Sequence, residues 1–156
     1  MSAYADGLRL LSRRELSVSQ VRARLLYRDH RPDDVERAIQ ELLDTQALDN
    51  VRVARAYART AANVKGRGRL RVTRELHAMG IAKQTASEAV AEAFADLDER
   101  SLIAKAIQKK MRGKTKLAST AEYGRLYQFL MRQGFTPAGI AAALQRLRGG
   151  RVSIDD

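Results

Sequence analysis

The chain of 156 residues contains no cysteine and no tryptophan. Without thiols it has no disulfide, no thiolate zinc site and no cysteine nucleophile, a composition that fits a reducing cytoplasm. Aromatic residues are scarce: three phenylalanines and five tyrosines. The pattern of aromatics interleaved with basic residues that marks many single-strand binders is therefore weak. No apolar run approaches the roughly 18 residues of a membrane span. In the opening MSAYADGLRLLSRRE the arginines follow the short apolar segment instead of preceding it, so it does not read as a signal peptide. A cytoplasmic location is expected. Only two prolines interrupt a chain rich in alanine, leucine and arginine, which favours helix. No segment sustains period-two alternation between turn signals, so no sheet is expected.

What the chain has is positive charge. Twenty-nine basic residues against 18 acidic ones give a net charge of +11 and an isoelectric point near 10.5. Such a balance points to partners with acidic surfaces, nucleic acid foremost. The length suits one domain or a short array of repeats.

Helix signals follow one another along the chain. Leu8 and Leu11 begin a short helix. Ser17 and Gln20 have capping-box spacing, ahead of a helix that turns Val21 and Leu25 inward. Pro32 suits a first helical position, and Asp33 and Asp34 suit the positive end of the dipole. Val35, Ile39 and Leu42 form that third helix's stripe, and Asp49 or Asn50 can cap the next helix. There Val53, Tyr57, Thr60, Ala61 and Val64 share one face, with Arg52, Arg55 and Arg59 opposite. Gly66 and Gly68 break it. Val72, Leu76 and Met79 then form the stripe of a helix closed by Gly80, and Arg67, Arg71 and Arg74 lie on another face roughly 130° away. Ala86, Val90 and Ala93 face inward on the next helix. Ile103, Ile107 and Met111 oppose Lys105, Lys109 and Arg112, and Gly113 to Ser119 reads as a lysine-rich loop. Ser119 and Glu122 repeat the capping-box spacing before Leu126 and Leu130. Thr136 and Pro137 start a last helix through Ile140, Leu144 and Leu147, which Gly149 and Gly150 end.

These segments repeat. Leu25, Leu76 and Leu130 each close a middle helix, at intervals of 51 and 54 residues. Four residues on stand Asp29, Gly80 and Gly134, followed by His30, Ile81 and Phe135. Val35, Ala86 and Ile140 correspond, as do Ile39, Val90 and Leu144. The expected fold is all-α: nine helices in three tandem three-helix repeats over residues 1–50, 51–97 and 98–150, with a short tail at 151–156. Stacked repeats of this kind make an elongated, curved array with a long side surface, suited to binding along a polymer.

No constellation for catalysis stands out. His30 holds a turn position filled elsewhere by Ile81 and Phe135, so packing is its expected role; His77 is expected in solvent. No histidine and carboxylate pair has metal-ligand spacing. Gly66-x-Gly68 completes no phosphate-loop pattern and follows no strand, so it reads as a helix break. The chain is read as a non-enzyme without cofactor or metal.

The basic residues, by contrast, are organised. Val51 to Arg74 holds eight and no acid: Arg52, Arg55, Arg59, Lys65, Arg67, Arg69, Arg71 and Arg74. Ser101 to Ala121 holds six and no acid, among them Lys105, Lys109, Lys110 and Arg112, with Lys114 and Lys116 following. A plain solvated face mixes both signs. These twelve leading residues are the candidate binding surface. Direct nucleic-acid contact through them is expected to be backbone-directed, sequence-tolerant and salt-dependent; an acidic protein or nucleoprotein fits the same charges.

Leu48-Asp49-x-x-x-Val53-Ala54-x-x-Tyr57, then Gly68-x-x-Arg71-Val72-x-x-Glu75-Leu76-x-x-x-Gly80-Ile81, resembles the central segment of RecX proteins, and Leu130-x-x-x-Gly134-Phe135-x-x-x-x-Ile140 resembles their third unit. The resemblance runs from about Leu8 to Leu147. Asp29-His30 stands where the family's first unit usually has a glycine and an aromatic, and Arg67 where an aromatic is common. The resemblance implies tandem three-helix repeats. It also implies a regulator, usually an inhibitor, that sits in the groove of the RecA–DNA filament and modulates ATP hydrolysis, strand exchange and co-protease activity, so bearing on DNA repair and the SOS response. A monomer is expected, with at most weak direct contact to single- or double-stranded DNA. The alternative is a stand-alone, sequence-tolerant DNA-binding protein acting through the basic face.

Overall fold

The computed structural model describes residues 1–114 and 116–149, and among these residues the chain is all α: nine helices and no strand. They are α1 (Ala3–Arg13), α2 (Val18–Tyr27), α3 (Pro32–Asp44), α4 (Asn50–Asn63), α5 (Arg69–Ala78), α6 (Lys83–Phe94), α7 (Glu99–Met111), α8 (Thr120–Gln133) and α9 (Pro137–Arg148). Gly150 and the expected tail at 151–156 lie outside the described residues, as does Thr115 within the expected loop.

The chain forms two compact units, Met1–Ala58 with Glu75–Ala89, and Arg59–Arg74 with the described residues from Val90 on. In the first unit α1 and α2 both pack on α3. Leu16, Val21, Leu25, Val35, Leu42 and Leu48 are sealed from solvent there, each side chain contributing about 1.5–3 kcal/mol by burial. In the second unit α7 and α8 pack on α9 in the same order, around Ile103, Leu126, Leu130, Phe135 and Ile140.

Local signals set the helix ends. Ser17 caps α2 by accepting from the Gln20 amide at 3.2 Å, while Gln20 Oε1 accepts from the Ser17 amide at 2.9 Å, a complete capping box. Pro32 and Pro137 take first helical positions, and Thr136 accepts from the Gly139 amide at 3.1 Å. Asp49, rather than Asn50, caps α4, accepting from the Val51 and Arg52 amides at 3.0 and 3.2 Å. Asn50 instead accepts from the Val18 amide at 2.9 Å.

The middle helices of the three repeats end on the same device. The amides of His30, Ile81 and Phe135 donate to the carbonyls of Leu25, Leu76 and Leu130 at 3.2, 3.1 and 3.4 Å. The amides of Asp29, Gly80 and Gly134 donate to Leu26, His77 and Met131 at 3.0, 2.9 and 3.0 Å. This is the paired bonding of a Schellman turn, and it requires positive φ at Asp29 (67°), Gly80 (82°) and Gly134 (101°). The repeat read from leucine spacing is thus a repeat of backbone geometry.

Several expectations are corrected. Helix α1 begins at Ala3 and not at Leu8, and its buried face is Ala3, Asp6, Gly7 and Leu10. The apolar face of α4 is turned from the expected one: Val53, Ala54, Ala58, Ala61 and Ala62 are buried, whereas Thr60 and Val64 are exposed. Small alanines, not the larger residues, line that face. Ser119 caps α8 through the Glu122 amide at 3.2 Å, but the Glu122 carboxylate reaches the Ala118 amide and not that of Ser119, so the box is displaced by one residue. Ile107 and Met79, expected on apolar stripes, are half-buried.

His30 is more than packing. Its Nε2 lies 2.8 Å from Asp6 Oδ2, and Arg28 Nη1 donates to Asp6 Oδ1 at 2.6 Å. Asp6 is buried on α1, so this carboxylate fastens α1 to the closing turn of α2. Burial pushes its carboxyl upward in pKa. The hydrogen bond from His30, the charges of Arg28 and His30, and the Arg28 hydrogen bond outweigh burial and hold it below the ordinary value. His77 lies in solvent.

Candidate functional site

Gly68, expected with Gly66 to break a helix, and the helix-closing Gly80 and Gly134 build joints between consecutive middle helices. Within the second unit the start of α5 meets the end of α8. Gly68 and Leu70 amides donate to the carbonyls of Gln133 and Gly134 at 2.7 and 3.0 Å, which satisfies free donors of one helix with free acceptors of another. A Cβ on Gly68 would come within 2.5 Å of the Gly134 backbone, and one on Gly134 within 2.3 Å of Arg71 Cβ. Both glycines are there because two backbones touch. Within the first unit the start of α2 meets the end of α5 in the same register: Ser17 Oγ donates to the Met79 carbonyl at 2.5 Å, and a Cβ on Gly80 would lie 2.4 Å from Ser19 Oγ.

These joints decide which basic residues serve the fold. Arg71 donates to Gln133 Oε1 at 2.8 Å and is half-buried against the end of α8. Arg52 makes a two-pronged pair with Glu15 at 2.6 and 3.1 Å and donates to the carbonyls of Gln46 and Ala47 at 3.0 and 3.1 Å. The Glu15 hydrogen bond, against partial burial and with the charges of Glu15 and Asp49, raises the guanidinium's affinity for its proton. Arg69 lies over the Phe94 ring at 5.6 Å from its centre. Arg55, Arg59 and Arg74 are exposed and Arg67 half-buried.

The second unit also contains an open groove of about 1440 Å³ walled by the end of α4, the following turn, α7 and α8. Lys65, Lys105, Lys109, Lys110 and Arg112 all line it. Lys114, Arg125 and Arg132 join them, against one carboxylate, Glu122, which is already bonded to the Ala118 amide. Among the described residues, eight cations therefore face a shared concavity with one acid in its wall, an arrangement that raises the local concentration of anions. The floor is apolar, with Leu102, Met111, Leu117 and Leu126. Phe129 lies beneath Lys110, whose Nζ is 4.8 Å from the ring centre.

The groove thus gathers five of the twelve expected site residues and leaves Arg52, Arg55, Arg59, Arg67, Arg69, Arg71 and Arg74 outside its lining. Of Arg67, Arg71 and Arg74, expected to share one basic surface, Arg71 is held by the joint with α8. Arg125 and Arg132 were missed because the basic run was read by the absence of acids, and Glu122 ended it. Their signal was present as a seven-residue interval on one face of α8. Among the described residues, no group of three or more His, Asp or Glu side chains could hold a metal ion, and no helix is long and apolar enough to cross a membrane.

The family models for RecX match this chain in order: the first three-helix domain at residues 3–42, the second at 49–90 and the third at 98–144. The chain is 32% identical to the regulatory protein RecX of Halorhodospira halophila over 88% of its own length and 83% of that protein's. It is 30% identical to the regulatory protein RecX of Vibrio parahaemolyticus, over 92% of this chain and 90% of the relative. Its fold is similar to the crystal structure of RecX from Lactobacillus salivarius, with a TM-score of 0.68 at 20% identity and 94% of each chain covered. Matched by three consecutive three-helix domains and by relatives along nearly its whole length, the chain belongs to the RecX family of regulatory proteins.

Proposed function

We propose that this chain regulates a RecA recombinase by binding in the groove of the RecA–DNA filament, where it inhibits ATP hydrolysis, strand exchange and co-protease activity and so restrains DNA repair and the SOS response. In this reading it acts stoichiometrically, as a cytoplasmic monomer, through contact and without chemistry of its own. The observation that carries the reading is the groove walled by the end of α4, α7 and α8: eight cations among the described residues on one concave surface, in a chain of the regulatory RecX family. A filament coated on nucleic acid offers the repeated anions such a surface attracts. Lys105, Lys109 and Arg112, exposed on α7 and its closing turn, are the residues assigned to that contact, with Lys65 and Lys110 beside them.

The test is titration of the purified chain into RecA hydrolysing ATP on single-stranded DNA. Inhibition at near-stoichiometric amounts supports the reading; unchanged hydrolysis and strand exchange refute it. A second reading, a stand-alone DNA-binding protein, draws on the same concentration of charge. It requires bare DNA to bind as tightly as the filament, with affinity falling steeply as salt rises.

A further inference from the structure

In both internal joints, what the start of a middle helix receives is the closing turn of another middle helix. Ser17 on α2 meets the Met79 carbonyl, and Gly68, Leu70 and Arg71 on α5 meet the carbonyls and side chain of Gln133 and Gly134. A helix end of this kind offers unpaired carbonyls and the negative pole of the macrodipole. Counted from the buried leucines, the same register on α8 falls at Glu122, Gly124 and Arg125. All three line the groove.

Gly124 is the telling residue. It stands inside a 14-residue helix, where glycine is a poorer choice than alanine, and no turn or positive φ calls for it. A Cβ built there would meet nothing within 4 Å, so packing does not call for it either. A bare backbone facing an open groove lets another backbone approach closely, as Gly68 and Gly134 do in the joint between α5 and α8. Arg125 is the counterpart of Arg71, and it is exposed.

We infer that the groove receives the C-terminal turn of an acidic helix from a protein partner, with Gly124 admitting its backbone, Arg125 meeting its last carbonyls and Lys105 and Lys109 meeting its carboxylates. The inference rests on the reading that this groove is the partner-binding site, and it names the element bound. Charge alone suits a nucleic-acid strand equally. Register favours the helix end, because the corresponding positions hold one in both other repeats. So does the lining, whose single aromatic among the described residues, Phe129, already carries Lys110 over its face and presents no bare ring for base stacking.

The test titrates the isotope-labelled full chain with two amidated helical peptides of identical composition. One carries its glutamates in the last turn before a closing glycine, the other in the first turn; oligothymidylate is the third probe. The expected result is shifts at the Gly124 and Arg125 amides and about fivefold tighter binding of the first peptide than the second. Gly124→Leu, which strengthens α8, is expected to weaken that binding about tenfold by filling the approach. Equal affinity for the two peptides, or no shift at those amides, overturns the inference. So does oligothymidylate that outcompetes the peptide there and is lost alongside it in Gly124→Leu. The recombinase assay is separate: native protein without effect on RecA defeats the regulatory reading whatever the peptides do, whereas inhibition that survives Gly124→Leu removes only the helix-end site.

Discussion

Replacing Gly134 by alanine tests the joint most sharply, because the structure separates two costs that such a change combines. At φ 101° an alanine is strained, by about 1–2 kcal/mol. Its Cβ would also lie 2.3 Å from Arg71 Cβ and 2.5 Å from the Arg71 amide nitrogen, an overlap with backbone that costs about 1–3 kcal/mol more to relax. The gain from stiffening the unfolded chain offsets about 0.5–1 kcal/mol. The net expectation is a loss of about 2–4 kcal/mol. Gly66 supplies the control: its φ is 65°, yet a Cβ there would meet nothing within 4 Å, so Gly66→Ala pays for strain alone and loses about 1 kcal/mol or less. Asp29 supplies the opposite sign. It holds the equivalent turn of the first repeat at φ 67° as a non-glycine residue, and Asp29→Gly is expected to be neutral or stabilising by up to about 1 kcal/mol. Urea unfolding of all three variants reads these values directly. In thermal melts each kcal/mol moves the midpoint by about 2–4 °C for a chain of this size. Gly134→Ala no more destabilising than Gly66→Ala would refute the backbone contact between α5 and α8.

Further outcomes follow from named contacts. Asp6→Ala leaves Arg28 and His30 without their shared carboxylate and is expected to cost about 2 kcal/mol, since Arg28 remains half-exposed and rehydrates. Because the Asp6 pKa is depressed in the fold, its contribution is present above the unfolded value near 3.8 and is lost as the pH falls through the lower folded value. The acid limb of the stability curve should therefore be shallower in Asp6→Asn than in the native chain, and parallel limbs would count against the pairing. Arg52→Ala is expected to lower stability by about 1 kcal/mol, a modest figure because the pair with Glu15 is about two-fifths exposed, while leaving recombinase inhibition unchanged. Leu130→Ala, in a fully buried position, should cost about 2–5 kcal/mol; a smaller loss by denaturation would mean that the third repeat packs more loosely than its burial indicates.

How much of this was legible in sequence depends on the range of the interaction. Leucine spacing and turn chemistry act over four to seven residues, so the nine helices, the Ser17 cap, the prolines of α3 and α9 and the threefold register could all be read directly. The inward face of α4 was not, because alanine carries little hydropathic signal and the larger Tyr57, Thr60 and Val64 drew the stripe away from it. The joints were hidden for another reason. Gly68 contacts Gly134 across a separation in sequence that no local pattern reports, and each glycine alone reads as a break. Arg52 and Arg71 carried the same charge as Lys105 and Lys109 on paper. Only the presence of Glu15 beside one and the end of α8 beside the other distinguishes a residue that holds the fold from one that faces a groove.

The proposed action on a recombinase filament places the contact in the groove walled by the end of α4, α7 and α8. The most direct measurement compares the native chain with the Lys105→Glu, Lys109→Glu, Arg112→Glu triple variant in RecA ATP hydrolysis on single-stranded DNA, after circular dichroism has shown equal helix content and melting. That role predicts near-stoichiometric inhibition by the native chain and, for the triple variant, inhibition weakened by at least about tenfold, as several exposed charge contacts are reversed together. Equal inhibition by the two proteins, or none by the native chain, contradicts it.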